Sequence, residues 1–270
     1  MDRQKAAYIR CVNDTSPTRA AIIADFKENF RVGSSPVETN RDYYSKRQVS
    51  LLTFAIIYGD ESGKKQVKYV DYFSDVLNHD SLFAGRCLIQ LMSSEFMQQF
   101  QSVALWSDCG PHFRSKEYLN YALIETPRLI YTKFNRNIDI NINYFVEYHG
   151  KSIVDSHFGV LMLWLRQAEA LVELRTKENL QRIFFAKYNE SEHDYTMDIN
   201  AYKPSKTRLK VRKLIVSQIW TYLSFVFVNG QLFGGAVSTF QPAEYQSLRF
   251  KLQEFDDHRE DKYAPGDSCS

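Results

Sequence analysis

The stretch SVALWSDCGP, Ser102 to Pro111, decides how the chain is read. Its first six residues are small or apolar and too few for a helix, and they run into an acid followed by a Cys-Gly-Pro turn. That is the pattern of a buried strand delivering a carboxylate, Asp108, to its end. Just upstream, His79 to Phe100 carries apolar residues at Leu82, Phe83, Leu88, Leu91, Met92 and Phe96, close to the helical period, with Asn78 or Ser81 available as a cap. Just downstream, Ser115 to Ile124 is helix-like. Ile138 to Tyr148 alternates apolar and polar residues over its first half, as a strand does, and Ile153 to Arg175 returns to helical spacing.

Further out toward the start, RAAIIADF (Arg19 to Phe26) is a short apolar run with an acid, Asp25, at its edge, and reads as the first strand. Gln48 to Tyr58 is a longer β-branched run closed by the turn residues Gly59 to Gly63, and Gln66 to Phe73 alternates as a half-exposed third strand should. The expected order is therefore three antiparallel strands, helix, strand, helix, strand, helix. This is the α/β, RNase H-like (retroviral-integrase-like) arrangement of a mixed five-stranded sheet flanked by helices. Residues 1–175 form the expected core. Residues 176–254 read as a mainly helical C-terminal extension packed on it, with Glu169 to Tyr188 continuing as helix and the apolar Lys213 to Val228 as buried helix or strand. Residues 255–270 read as a loose tail.

Composition supports a folded protein, since 44% of residues are hydrophobic and 14% aromatic, too apolar for a disordered chain. The net charge of +2 leaves any nucleic-acid binding to a local basic surface rather than to a global field. Cys11, Cys87, Cys109 and Cys269 form no CxxC pair, which argues against a zinc knuckle or a disulfide framework and for a reducing compartment. The start, MDRQKAAYIR, has no apolar core of a signal peptide, and no apolar run is long enough to span a membrane. Gly150-Lys151-Ser152 is not a phosphate-binding loop, because that motif needs glycine where Phe145 stands.

Three blocks carry a resemblance to a known family: ADFKEN at Ala24 to Asn29, LWSDCGPHFRS at Leu105 to Ser115, and HGKSIVD at His149 to Asp155. With Tyr72 to Ser74 and Asn78 to Asp80 between them, residues 18 to 175 resemble the catalytic domains of eukaryotic DNA transposons of the DDE/D type. The resemblance implies DNA cleavage and strand transfer in one site holding two divalent ions, Mg²⁺ or Mn²⁺, ligated by Asp25, Asp108 and Asp155. Carboxylate oxygens are the donors Mg²⁺ prefers, and two ions about 3.5–4 Å apart stabilise the crowded negative charge of phosphodiester chemistry. Asp25 would bridge the two. Many relatives carry Glu as the third acid, so Glu169 is the second choice for that position.

Around these acids, His112 and Arg114 could meet a scissile phosphate, and His149 and Lys151 could steer the DNA backbone. The basic run Lys203 to Lys213, with Lys203, Lys206, Arg208 and Lys210, could lie along phosphates, and Tyr43, Tyr44 and Tyr72 could stack on bases. Each has an ordinary alternative: an Asp at a strand end is often a cap, a basic run a solvated linker, and most aromatics core. The resemblance further implies DNA as partner, a homodimer that joins two DNA ends, and a nuclear location. Two other readings stand beside it. One is a domesticated module that keeps the scaffold and binds DNA or protein without chemistry. The other is a nuclease of the same fold, disfavoured because Asp25-Phe26-Lys27 lacks the DxE pair.

Overall fold

Apolar runs that bury both of their faces dictate a central position for the first and fourth strands. In the computed structural model, which describes residues 2–32, 46–146, 152–170, 174, 176–203, 209–217, 219–236, 238 and 245–257, they occupy it. The chain is a mixed α/β fold on one large mixed sheet. β1 (Arg19–Val32), β2 (Arg47–Gly59) and β3 (Lys65–Ser74) form an antiparallel meander, while β4 (Ser102–Ser107) and β5 (Asp139–Tyr144) run parallel to β1. Even-numbered side chains of β1 (Ala20, Ile22, Ala24) enter one core layer. Odd-numbered ones (Ala21, Ile23) enter the layer on the opposite face.

The sheet is larger than the five strands expected from the sequence. β6 (Tyr195–Ala201) adds to β3, and β8 (Ser224–Val228), β9 (Gln231–Gly235) and β10 (Gln246–Leu248) extend it beyond β5, giving the order β10-β9-β8-β5-β4-β1-β2-β3-β6. A separate two-stranded ribbon pairs β7 (Leu209–Val216) with β11 (Phe250–Asp257). The mainly helical extension is thus corrected: after residue 190 the described segments are almost all strand. Their β-branched and aromatic runs, such as SFVFV, suit a sheet edge better than a helix. β11 also reaches into the segment read as tail, as far as Asp257.

The helices follow their caps. α1 (Asp2–Asn13), which the sequence reading passed over, turns Ala7 and Cys11 onto the sheet, where Trp106 Nε1 donates to Cys11 Sγ at 3.3 Å. α2 (Ser81–Met92) is capped by Asp80, which accepts from the Phe83 amide at 2.9 Å, rather than by Asn78 or Ser81. It ends earlier than the periodicity suggests, giving way to a short 3₁₀ turn at Phe96–Gln99. α3 (Lys116–Asn120) runs through a π-helical turn at Tyr121–Glu125 into α4 (Thr126–Phe134). α5 (Ile153–Glu169) opens on a capping box, and α6 (Lys177–Asn189) on Thr176, so the continuous helix expected over 169–188 is two helices. α2, α3 and α4 cover one face of the sheet with the β7 ribbon, and α1, α5 and α6 cover the other. For that reason β3 is not half-exposed throughout: Tyr69 to Ser74 are buried between β2, β6 and the helices.

Candidate functional site

The parallel pairing of β1 with β4 steps through Ala24↔Ser107, so the next residues, Asp25 and Asp108, leave the ladder side by side. Asp25 is half-buried and Asp108 is exposed. Asp155 lies in the first turn of α5, which packs on β1 and β2, and it too is exposed. The acids therefore form a half-sunk carboxylate with two solvent-facing ones beside it. Burial, followed by repulsion from Asp108 and then from Asp155, pushes the Asp25 carboxyl up to about 7, against smaller opposing effects of the Phe26 amide and His112. The three acids singled out in the sequence are brought together, and the second choice, Glu169, is not. It ends α5, roughly 20 Å along the axis from Asp155 at 1.5 Å per residue.

Each flanking acid commits an oxygen to backbone. Asp108 Oδ1 accepts from the Gly110 amide at 2.9 Å, and Asp155 Oδ2 accepts from the Ser152 amide at 2.7 Å within the capping box. His112 Nε2 stands 3.4 Å from Asp108 Oδ1, and its ring meets Phe26 edge-on at 5.0 Å. Burial works to raise the Asp108 carboxyl, but His112 and the Gly110 amide outweigh it and hold Asp108 below the ordinary carboxylate value. Gly110 leaves room for this approach, since a Cβ there would come within 2.5 Å of the His112 ring and push it aside. Phe26 also stacks on His79 at 4.4 Å, and His79 Nε2 lies 3.0 Å from Asn29 Oδ1, beside an irregularity in the β1–β2 pairing between Lys27 and Phe30. Burial lowers the His79 pKa, and neighbouring His112 lowers it further. Among the described residues, no three His, Cys, Asp or Glu side chains converge on a single ion site.

Arg114 is a correction to the DNA-contact reading. It is 6% exposed, and its Nη2 donates to the carbonyl oxygens of Trp220 (2.5 Å), Tyr222 (2.8 Å) and Ile219 (3.5 Å), while Nη1 reaches Cys109 Sγ at 3.3 Å. A guanidinium so engaged ties two segments of the fold, and its burial keeps it from a phosphate. Tyr72 is likewise core, 2% exposed, rather than a base-stacking surface. Lys203 is exposed. His149, Lys151, Lys206, Arg208, Tyr43 and Tyr44 lie outside the described residues, as does the side chain of Lys210. Within the same basic run, Arg212 is held by Glu254 at 2.8 Å.

Sequence reasoning missed a buried polar row that continues from Asp25 across the sheet. Asp25 pairs in register with Thr53 of β2, and Thr53 with Asp71 of β3. Thr53 Oγ1 donates to Asp71, whose other carboxylate oxygen is 2.9 Å from His157 Nε2, and the Asp71 and His157 side chains are wholly buried. Tyr69 stacks on His157 at 4.0 Å. The order Thr, Asp, His places the acid between the other two, so the imidazole cannot take a proton from the hydroxyl as a nucleophilic triad requires. The group instead ties α5, two residues past Asp155, to β3. A lone Asp amid QVKYVDYF and a His two positions after another acid were the only traces of it.

Residues 4–217 match the model of a family described as "Domain of unknown function (DUF8701)". No match was found among curated proteins. Among solved structures, the crystal structure of the N. crassa QDE-2 AGO MID-PIWI domains is similar over 69% of this chain at 12% identity and a TM-score of 0.30. This chain spans 55% of that structure, and the likeness is too slight to assign a fold or an activity.

Proposed function

The chain belongs to the DUF8701 family, and we propose that it is a metal-dependent, DNA transposase-like nuclease and strand transferase on an RNase H-like scaffold, with Asp25, Asp108 and Asp155 as its acids. The observation that carries this reading is the register that sets Asp25 and Asp108 side by side at the carboxyl end of β4, with Asp155, in the first turn of α5, near enough to repel the Asp25 carboxyl. The scaffold reading draws support from the central order β3-β2-β1-β4-β5, in which β2 alone runs against the rest. Transposases of the DDE/D kind use three acids placed on these elements, and a nuclear location and a homodimer go with that substrate.

The donor set suits Mg²⁺ or Mn²⁺. All three side chains are hard oxygen donors, and among the described residues no lysine or arginine is found to lower the Asp25 carboxyl. A divalent cation would offset the burial, and the repulsion from Asp108 and Asp155, that raise the Asp25 carboxyl to about 7. Asp25, Asp108 and Asp155 are the residues that would hold the divalent ions. When bound, such ions activate a water or a 3′-hydroxyl and neutralise the leaving oxygen. The chain's own part is to fix the acids. The Gly110 and Ser152 amides each hold one oxygen of a flanking carboxylate and leave the other for a ligand, and His112 helps to hold the Asp108 carboxyl below the ordinary carboxylate value.

The test is cleavage of labelled DNA with Mg²⁺ or Mn²⁺ by the wild type and by Asp25→Ala, Asp108→Ala and Asp155→Ala, each checked for fold by circular dichroism. Cation-dependent cleavage that each folded variant loses supports the enzyme. The inward turn of Arg114 favours the second reading, a domesticated module without chemistry. Absence of cleavage with either cation, together with DNA binding that persists in all three variants, would establish it.

A further inference from the structure

We propose that Trp220 is a stacking platform for an unpaired base of single-stranded nucleic acid entering the acid site, a role whose choice of ligand rests on the reading above. Trp220 sits in the 3₁₀ turn Ile219–Thr221, just before β8, whose Ser224 pairs with Asn143 near the carboxyl end of β5. Tyr144, the next residue of β5, pairs with Ser107, and Asp108 follows. Trp220 and Asp108 therefore occupy the same edge of the sheet. Arg114 joins them, reaching Cys109 on one side and the Trp220 carbonyl on the other, with its guanidinium carbon over the Trp220 ring at 5.3 Å from the centroid.

An indole is among the largest apolar surfaces a residue can offer, yet this one is 62% exposed. It is also held in place: a buried cation is committed to the carbonyls of its turn, and Ile219 and Tyr222 on either side are buried. Among the described residues flanking it in the chain, 217, 219 and 221–223, none is an exposed large hydrophobic, whereas a protein partner would need a contiguous apolar patch. An exposed aromatic face on a held turn, at the same end of the sheet as the acids, suits a nucleobase, because every base has a face that stacks and the contact needs no particular sequence.

The protein supplies its own reporter. Of its three tryptophans, Trp106 and Trp164 are buried, so a ligand that changes indole emission by contact acts on Trp220. The experiment titrates a short oligothymidylate into the full chain in EDTA, following tryptophan emission and, separately, the anisotropy of a labelled oligonucleotide. Wild type should show quenching, Trp220→Ala should bind about 5- to 150-fold more weakly, and Trp220→Tyr should restore most of the affinity. No binding by the wild type, or equal affinity in wild type and a folded Trp220→Ala, overturns the proposal. Because EDTA silences any cation chemistry, the outcome is independent of the cleavage assay. Weakened binding by Trp220→Ala with no cleavage by the wild type would retain the platform and discard the nuclease.

Discussion

Asp25 is an acid held against its own chemistry, and its titration exposes the cost. A carboxyl near 7 in the folded state and near 3.9 unfolded binds a proton in the folded protein, between about pH 4 and 7, that the unfolded chain has released. Its stabilising effect is therefore complete below about pH 4 and is lost as pH rises through 7. Wild type should lose about 2–4 kcal/mol across that window relative to Asp25→Asn, read from urea midpoints at each pH. Parallel pH profiles for the two proteins would refute the shift. Saturating Mg²⁺ at pH 8 should recover stability in the wild type and not in Asp25→Asn, since an ion that binds only the folded state stabilises it by about 2.7 kcal/mol at a hundredfold excess over Kd. Gly110 supplies a second residue-scale test. A methyl group there would displace the His112 ring, so Gly110→Ala should let the Asp108 carboxyl titrate higher without unfolding the protein. A carboxyl ¹³C titration that leaves Asp108 unmoved would show that His112 does not set its charge.

At the scale of elements, the first strand, the fourth strand and the long helix were legible because each is a short local signal. An apolar run ending in Asp25 or Asp108, and a Ser-x-x-Asp box opening α5, need no knowledge of distant contacts. What could not be read was which strands would lie outside β3 and β5, since β6 and β8 join by pairings that depend on a sheet already formed. The Asp71–His157 tie is invisible for the same reason: its partners are 86 residues apart in the chain. That tie is predicted to hold α5 on the sheet. His157→Ala leaves a buried carboxylate without its imidazole and should cost about 3–5 kcal/mol by chemical denaturation, whereas Asp71→Asn, which can still hydrogen-bond to both neighbours, should cost less. A loss below about 1 kcal/mol in His157→Ala would mean that α5 is seated by its apolar face alone.

For the whole molecule, the question is where the cooperative unit ends. The family match stops at residue 217, but the hydrogen-bonding needs of the core do not. Arg114, buried beside the acid site, finds its acceptors at Ile219, Trp220 and Tyr222, and β5 finds its outer neighbour in β8. A chain cut after Ser217 would leave a buried guanidinium without those carbonyls and turn β5 into an open edge lined by Ile142 and Tyr144. Hydrogen bonds to a charged group are worth about 1.5–3 kcal/mol each, so losing the two short ones alone removes about 3–6 kcal/mol, a large part of the 5–15 kcal/mol typical of a domain. The truncated chain should therefore lose cooperative thermal unfolding, and Arg114→Leu in the full-length protein should show a smaller loss in the same direction. If the truncated chain instead melts together with the full-length one, residues beyond 217 form a dispensable flank. The carbonyl turn that carries Trp220 would then be an addition to the fold rather than part of the unit that shapes its acid site.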